Sequence, residues 1–429
     1  MDPESRRDFL RKSFTGFGVL ALGPSLLNAC GGDGDGPDCS ARPAADTSRP
    51  TTSNIANLGP LVGPDENGLM LPEGFSSRVV ARSGEVVQCS SYVWHGAPDG
   101  GATFPTEDGG WIYVSNAEIR NILSGGLPGG AGALRFDASG NVIDAYSILD
   151  GTDNNCAGGP TPWGTWISCE EVPTGLAWEC DPAGVDDARA LPALGSFQHE
   201  AVAIDPDTLY AYLTEDVGNG CFYRFRPTGA ISGGRTDFSE GVLEVARFTD
   251  GEGTTLTEFT ETGTVVLEWD EVSEPNPTDP VNDSATATRN QVPNAARFDG
   301  GEGIWFHAGI VYFTTQGDNR LWALEVESNI LTLVYTLDHA GDILDNVTVS
   351  SAGDVIVAHD GGPLQIVVVT ADGEAIPLVQ VTGQTGTEIT GPAFDPSHRR
   401  LYFSSQRGQD EGGFYGSGIT YCVEGPFYV

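Results

Sequence analysis

One pattern recurs along this chain and leaves few folds open to it. A polar residue precedes a short apolar strand, a tight turn follows, and a second strand returns to end on another polar residue. Glu200-Ala-Val-Ala-Ile-Asp-Pro-Asp leads into a strand that ends at Glu215-Asp216. Glu302-Gly-Ile-Trp-Phe leads into one ending near Gln316 and Asp318. Asp345-Asn346-Val-Thr-Val leads to His359-Asp360, and Glu388-Ile-Thr-Gly-Pro-Ala-Phe-Asp-Pro leads to Gln406. The polar-to-polar distance is 14 to 18 positions. Glu118 after Trp111–Asn116, and Glu170 and Glu171 after Trp163–Cys169, extend the series to five or six units.

A hairpin brings the start of its first strand beside the end of its second. Each unit therefore sets two polar groups at one end of one hairpin. If the units are arrayed radially, the innermost strands line a central channel and their polar ends converge at one mouth. The chain is accordingly expected to be all-β, a single propeller spanning 58–429 with long loop insertions. The stretch from Ile231 to Asn294 reads as outer-strand material plus a surface loop over Glu274–Asn294.

The charge balance narrows the partners. Lys and Arg total 21 against 60 Asp and Glu, a formal net charge of -39, and Lys12 is the only lysine. A basic nucleic-acid face is excluded, because phosphate backbones are held by Lys and Arg. Excess carboxylates can hold hard cations, calcium above all; most of them simply solvate the surface.

The N-terminus reads as an export signal over residues 1–29. Ser5-Arg6-Arg7-Asp8-Phe9-Leu10 has the twin-arginine pattern. The apolar stretch Phe14–Leu27 is about 14 residues, too short to cross a bilayer as a helix. Leu27-Asn28-Ala29-Cys30 is close to a lipobox, which makes Cys30 a candidate lipid anchor. Residues 30–57, rich in Gly, Asp, Pro, Ser and Thr, read as a flexible tether. The expected location is periplasmic, or on the outer membrane facing the aqueous phase, and the expected state is a monomer. Of eight cysteines, seven remain after Cys30, an odd number whose pairing the sequence does not assign.

Carboxylates gathered at a channel mouth repel one another unless cations neutralise them. Oxygen ligands favour calcium or magnesium, and a thiolate among them recruits a softer metal. Cys169-Glu170-Glu171 is where a cysteine adjoins such acids; the plainer reading of Cys169 is a buried thiol or half of a disulfide. His199, before Glu200, is a ligand candidate whose commoner role is packing. There is no Cys-x-x-Cys, no His-Glu-x-x-His, no P-loop and no dinucleotide fingerprint.

Thr161-Pro-Trp-Gly-Thr-Trp-Ile-Ser-Cys169-Glu170-Glu171 resembles the signature of the PhoX-type alkaline phosphatases. Tyr113–Glu118, Phe197–Ala201, Leu213–Asp216, Phe298–Gly303, Asp345–Val349 and Glu388–Gly391 are similar to further blocks of that family, in order, over roughly residues 60–425. The resemblance implies a six-bladed propeller carrying iron and calcium on its axis, and hydrolysis of small phosphate esters. Carried over by motif, Cys169 and Glu170 would bind iron. Glu118, Glu200, Glu302, Asp345 and Glu388 would be cluster ligands, with Asn116, Asn346, Asp318 and Asp360 in support.

The chain departs from the pattern: it is shorter than the typical family phosphatase, its one Lys lies in the signal whereas the family uses a basic pair near the cluster, and one motif differs. The family phosphatases have Arg-Pro-Glu where this chain has Gly300-Gly301-Glu302. That arginine is expected to bind the phosphoryl group, and Gly300 cannot; Arg320 and Arg407 are the candidate substitutes. Two other functions therefore stand beside the phosphatase: a calcium-dependent lactonase or esterase on the same scaffold, and a non-catalytic metal-binding propeller.

Overall fold

The computed structural model describes residues 52–121, 123, 127–229, 234–250, 264–337, 341–370, 373–408 and 416–428. The signal, with Arg6, Arg7 and Cys30, and the tether as far as residue 51 lie outside the described residues. Among those described, three single-turn 3-10 helices are the only helices, and the rest of the regular structure is antiparallel strand. None of the helices is long and apolar enough to cross a membrane.

Six strands pack side by side in a closed ring: Pro98–Pro105, Asn155–Pro160, His199–Ile204, Gly301–His307, Asp342–Val349 and Ile389–Phe394. Each heads a run of antiparallel strands that steps outward, so the molecule is a propeller. Hydrogen bonding gives five sheets rather than six, because the outer strands Thr264–Glu271 and Ile330–Thr336 pair and join two runs into a nine-stranded sheet. The ring is closed by both ends of the chain. Ser76–Arg82 pairs with Ile419–Glu424, and Leu69–Pro72 with Ala375–Val381. Apolar faces of neighbouring runs form the core; one cluster buries Phe222, Phe298, Phe313 and Trp322 together.

The hairpins turn away from the acids on side-chain caps. Asp205 accepts from the Asp207 amide at 3.0 Å, Asp395 from the Arg399 amide at 2.9 Å, and Thr161 from the Thr165 amide at 2.9 Å. These side chains supply the acceptors the turning backbone lacks.

Every inner strand carries a β-bulge near its start. The register shifts fall between Pro98 and Gly101, Asn155 and Gly158, His199 and Val202, Gly301 and Ile304, Leu344 and Val347, and Thr390 and Ala393. A bulge bends its strand and re-aims one side chain. It also frees a carbonyl from its own ladder, and polar side chains of the preceding run catch several of these. Asn116 Nδ2 donates to the Cys156 carbonyl at 3.1 Å, Thr214 Oγ1 to the Glu302 carbonyl at 2.7 Å, and Thr314 Oγ1 to that of Asp345.

Beside the bulges the strands approach too closely for side chains. A Cβ at Gly159 would stand 1.8 Å from the Val202 carbonyl oxygen, and one at Gly303 would stand 2.6 Å from the Val347 nitrogen. Gly159→Ala and Gly303→Ala should each cost about 3 kcal/mol in urea unfolding, since nothing at those contacts can yield but backbone. Gly59→Ala, with nothing within 4 Å of its Cβ, should change stability by less than about 0.5 kcal/mol.

Candidate metal centre

The bulges explain which side chains meet. The first bulged residue in five of the inner strands is Asp99, Cys156, Glu200, Glu302 or Asp345. On the returning strand, one residue past the partner of the residue before the bulge, stand Glu118, Glu171, Asp216, Gln316 and Asp360. The sixth hairpin departs from the rule and contributes Glu388, ahead of its strand, and Arg407. A bridge between Asp360 and Glu388 ties two runs together at this mouth.

These residues line a cavity of about 150 Å³ at one mouth of the axis. Its wall holds eight carboxylates, those of Glu118, Glu171, Glu200, Asp216, Glu302, Asp345, Asp360 and Glu388, and the thiol of Cys156. Arg407 is the one cation among the described lining residues, 3.5 Å from Glu118 and 3.4 Å from Glu388. Asp99 stands just behind, with Gln406 Nε2 donating to it at 2.6 Å and to Glu118 at 2.7 Å.

Three groups have ligand atoms all within 4.8 Å of one another: Cys156 with Glu171 and Glu200; Asp99 with Glu118 and Glu388; and Glu200 with Glu302 and Asp345. Burial, and then repulsion by their neighbours, pushes the carboxyls of Asp99, Glu200, Glu302, Asp345 and Glu388 well above the usual range. Glu171 is raised to about 8 by burial first and the Glu118 charge second. Burial, reinforced by Asp99 and Glu200, also raises the Cys156 thiol. Glu200 Oε1 is buried without a hydrogen-bond partner. Carboxylates packed this way, with a bare buried oxygen and one guanidinium between them, fit a cluster of cations. The all-oxygen groups fit calcium or magnesium, and the group with Cys156 fits a softer metal.

The structure brings Glu118, Glu200, Glu302, Asp345, Glu388, Asp360 and Arg407 to this cavity. Cys169 and Glu170 are placed elsewhere. The Cys169 side chain packs in an apolar cluster with Phe197 and Leu213. Glu170 accepts from the amides of Asp153 at 2.9 Å and Leu176 at 3.1 Å and from Trp178 Nε1 at 3.0 Å, which fixes a loop. Asn116 positions the Cys156 backbone rather than facing the cavity, and its Oδ1 accepts from Trp166 Nε1 at 2.9 Å. Asn346 links runs, with Nδ2 on Asp345 at 2.8 Å and Oδ1 on the Gly391 amide at 2.7 Å. Asp318 pairs with Arg320 at 3.0 Å, and neither lines the cavity. His199 stacks on Phe197 and donates from Nε2 to the Gly195 carbonyl at 3.0 Å; burial lowers its pKa to about 4.

Asp99 and Cys156 escaped the sequence reading; Glu171, Asp216 and Gln316 were read as polar ends of the hairpins but not as ligands. An available signal was the small residue after the bulged one: Asp99-Gly100, Cys156-Ala157, Glu200-Ala201 and Glu302-Gly303 share it. Gly300 has φ +68, and a Cβ there would stand 2.6 Å from Gln316 Cγ and 3.0 Å from Asp216 Oδ1. No side chain fits at 300 without displacing those two. Of the described cysteines, Cys89 is disulfide-bonded, and Cys156, Cys169, Cys180, Cys221 and Cys422 are free.

The fold and cavity define a β-propeller whose axis ends in a cluster of acids and one thiol. Comparison with known proteins places it more closely. The model of the family described as alkaline phosphatase PhoX matches residues 107–186 and 174–329, just over half of the sequence. The chain belongs to the PhoX alkaline phosphatase family. Among solved structures it is similar to Pseudomonas fluorescens PhoX in complex with vanadate, a transition state analogue. The identity is 16%, the TM-score 0.67, and the match covers 87% of this chain and 98% of that one. XC5397 from Xanthomonas campestris, a gluconolactonase, is matched at 11% identity and a TM-score of 0.45, over 89% of this chain and 98% of that one. None of the curated proteins matches the sequence.

The raised carboxyls set the sign of a pH effect. Glu171 keeps its proton to about 8 when folded, against an ordinary 4.5, so above about pH 5 the folded chain holds protons that the unfolded chain has lost. Without metal, this stability is present at low pH and disappears as pH rises through the folded value. In chelator the melting temperature should fall between about pH 5 and pH 8, and saturating calcium should flatten or reverse the slope, because bound cations displace those protons. Scanning calorimetry at several pH values, with and without metal, measures it.

Proposed function

We propose that the protein is a metal-dependent phosphatase-type hydrolase of small phosphate esters, acting at the axial cavity. The observation that carries this is the ring of eight carboxylates and the Cys156 thiol closed by Arg407, the one cation among the described lining residues. A phosphate ester is an anion, and bare carboxylates would repel it. Membership of the PhoX family and the vanadate complex of the Pseudomonas fluorescens protein support the phosphoryl chemistry.

Iron belongs at Cys156, Glu171 and Glu200, and calcium at the two all-carboxylate groups. When bound, the metals supply Lewis-acid stabilisation of charge on the phosphoryl oxygens. The chain's own work is to hold that charge in place. Asn116 and Trp166 fix the Cys156 strand, Gln406 bridges Asp99 and Glu118, and Arg407 offers a guanidinium to the phosphoryl group. Arg407 thus replaces in kind the arginine that Gly300 excludes. The twin-arginine signal and the Cys30 anchor would place the protein in the periplasm or on the outer membrane as a monomer.

The crowded, left-handed Gly300 favours a second reading, a calcium-dependent lactonase or esterase on the same scaffold. One preparation separates them: elemental analysis of the exported chain, then assays on a phosphomonoester and a lactone, with and without chelator. The phosphatase reading expects iron and calcium, and phosphate release abolished by chelator. Calcium without iron, with turnover of the lactone alone, would sink it. Cys156→Ser should lose iron and keep most calcium, whereas Cys169→Ser should keep both. Arg407→Gln should lower kcat/KM for the phosphomonoester by about 10²-fold, the usual effect of removing one charge-stabilising group.

A further inference from the structure

A second cavity, of about 330 Å³, opens beside the acid cavity and has the opposite character. Tyr92, Val93 and Trp94 of the loop entering the first inner strand form one wall, and Ile119, Leu127 and Leu149 line it from the neighbouring hairpins. The two cavities share one short piece of backbone. Glu118 faces the acid cavity, while Ala117 and Ile119 on either side of it line the apolar one. Val93 and Leu127 are 49% and 50% exposed, so the entrance is apolar as well as the wall. Tyr92 and His95 lie over Gly132, where a Cβ would stand 2.9 Å from the Tyr92 hydroxyl and 2.7 Å from His95 Cδ2. A side chain at 132 would thus have to displace the aromatic wall.

The geometry points to this cavity as the subsite for the organic part of the substrate, and so to phosphate monoesters whose alcohol carries an uncharged, apolar group the size of one or two rings. This rests on the phosphatase reading of the acid cavity. A pocket of this volume, with apolar walls and a charged site one residue away, suits a ligand with a charged end and an apolar body. A phosphoryl group held against Arg407 and the acid cluster would leave its alcohol portion to pass Glu118 into the apolar space. Short or highly hydrated alcohols would gain nothing there.

The test compares ethyl phosphate with 2-phenylethyl phosphate, esters of primary alcohols that differ chiefly in the ring, on the metal-loaded full chain. The wild type should prefer the phenylethyl ester in kcat/KM on the order of tenfold. Val93→Glu and Leu127→Glu, at half-exposed positions, should each reduce that preference to less than about threefold. Equal kcat/KM for the two esters in the wild type, or a preference that survives both substitutions, overturns the inference with the phosphatase reading intact. If neither ester is hydrolysed, that reading fails by itself. Binding of 2-phenylethanol, followed by saturation-transfer NMR, then decides: a signal lost in both variants supports the subsite, and no signal in the wild type overturns it.

Discussion

The close approach of the inner strands beside their bulges is the constraint on which the rest of the molecule depends. Gly100, Gly158, Gly159, Gly303 and Gly391 leave no room for a Cβ against the neighbouring strand. Because the strands touch there, the first bulged side chains just above are forced into one small volume. The same displacement lifts their carbonyls out of the ladder, and Asn116, Thr214 and Thr314 recapture them from the preceding run. The strands that carry the acids are thus positioned by backbone contact and by hydrogen bonds from the preceding run, apart from the contacts the acids make among themselves.

That separation matters because the cluster works against folding. Buried carboxylates raise one another's pKa and oppose compaction unless protonated or neutralised. The apolar clusters between runs, with stacked pairs such as Phe222 and Phe313 at 4.4 Å and Tyr113 and Tyr402 at 5.4 Å, provide the opposing stabilisation. Structural stability and site chemistry are therefore carried by different faces of the same strands.

Much of the fold was legible because the repeated polar–strand–turn–strand–polar pattern, with 14 to 18 positions between its polar ends, is one that a propeller satisfies. Glu118, Glu200, Glu302, Asp345 and Glu388 were legible as convergent for the same reason. What the pattern could not carry was register. Side chains alternate faces, so a shift of one residue moves a group from cavity to core. Glu170 pairs with Asn155, and Glu171, one step on, faces the cavity. Cys169 falls in the apolar cluster, and Cys156 was hidden because its acidic neighbours lie on other strands. Asn116 and Asn346 look like ligands in sequence, but their amides are consumed by backbone and by Asp345.

The ring is fastened where Ser76–Arg82, near the start of the described chain, pairs with Ile419–Glu424 near its end. The cavity draws its side chains from Glu118 through Arg407. During synthesis the last inner strand emerges after nearly all the others, and the fastening strand later still. A nascent chain lacks the full set of acids until Glu388 is made, and lacks the fastening strand until Ile419–Glu424 has followed. Termination before Glu388 removes that acid, Arg407 and the fastening strand together, and such a truncated product loses its chemistry and its closure in the same event.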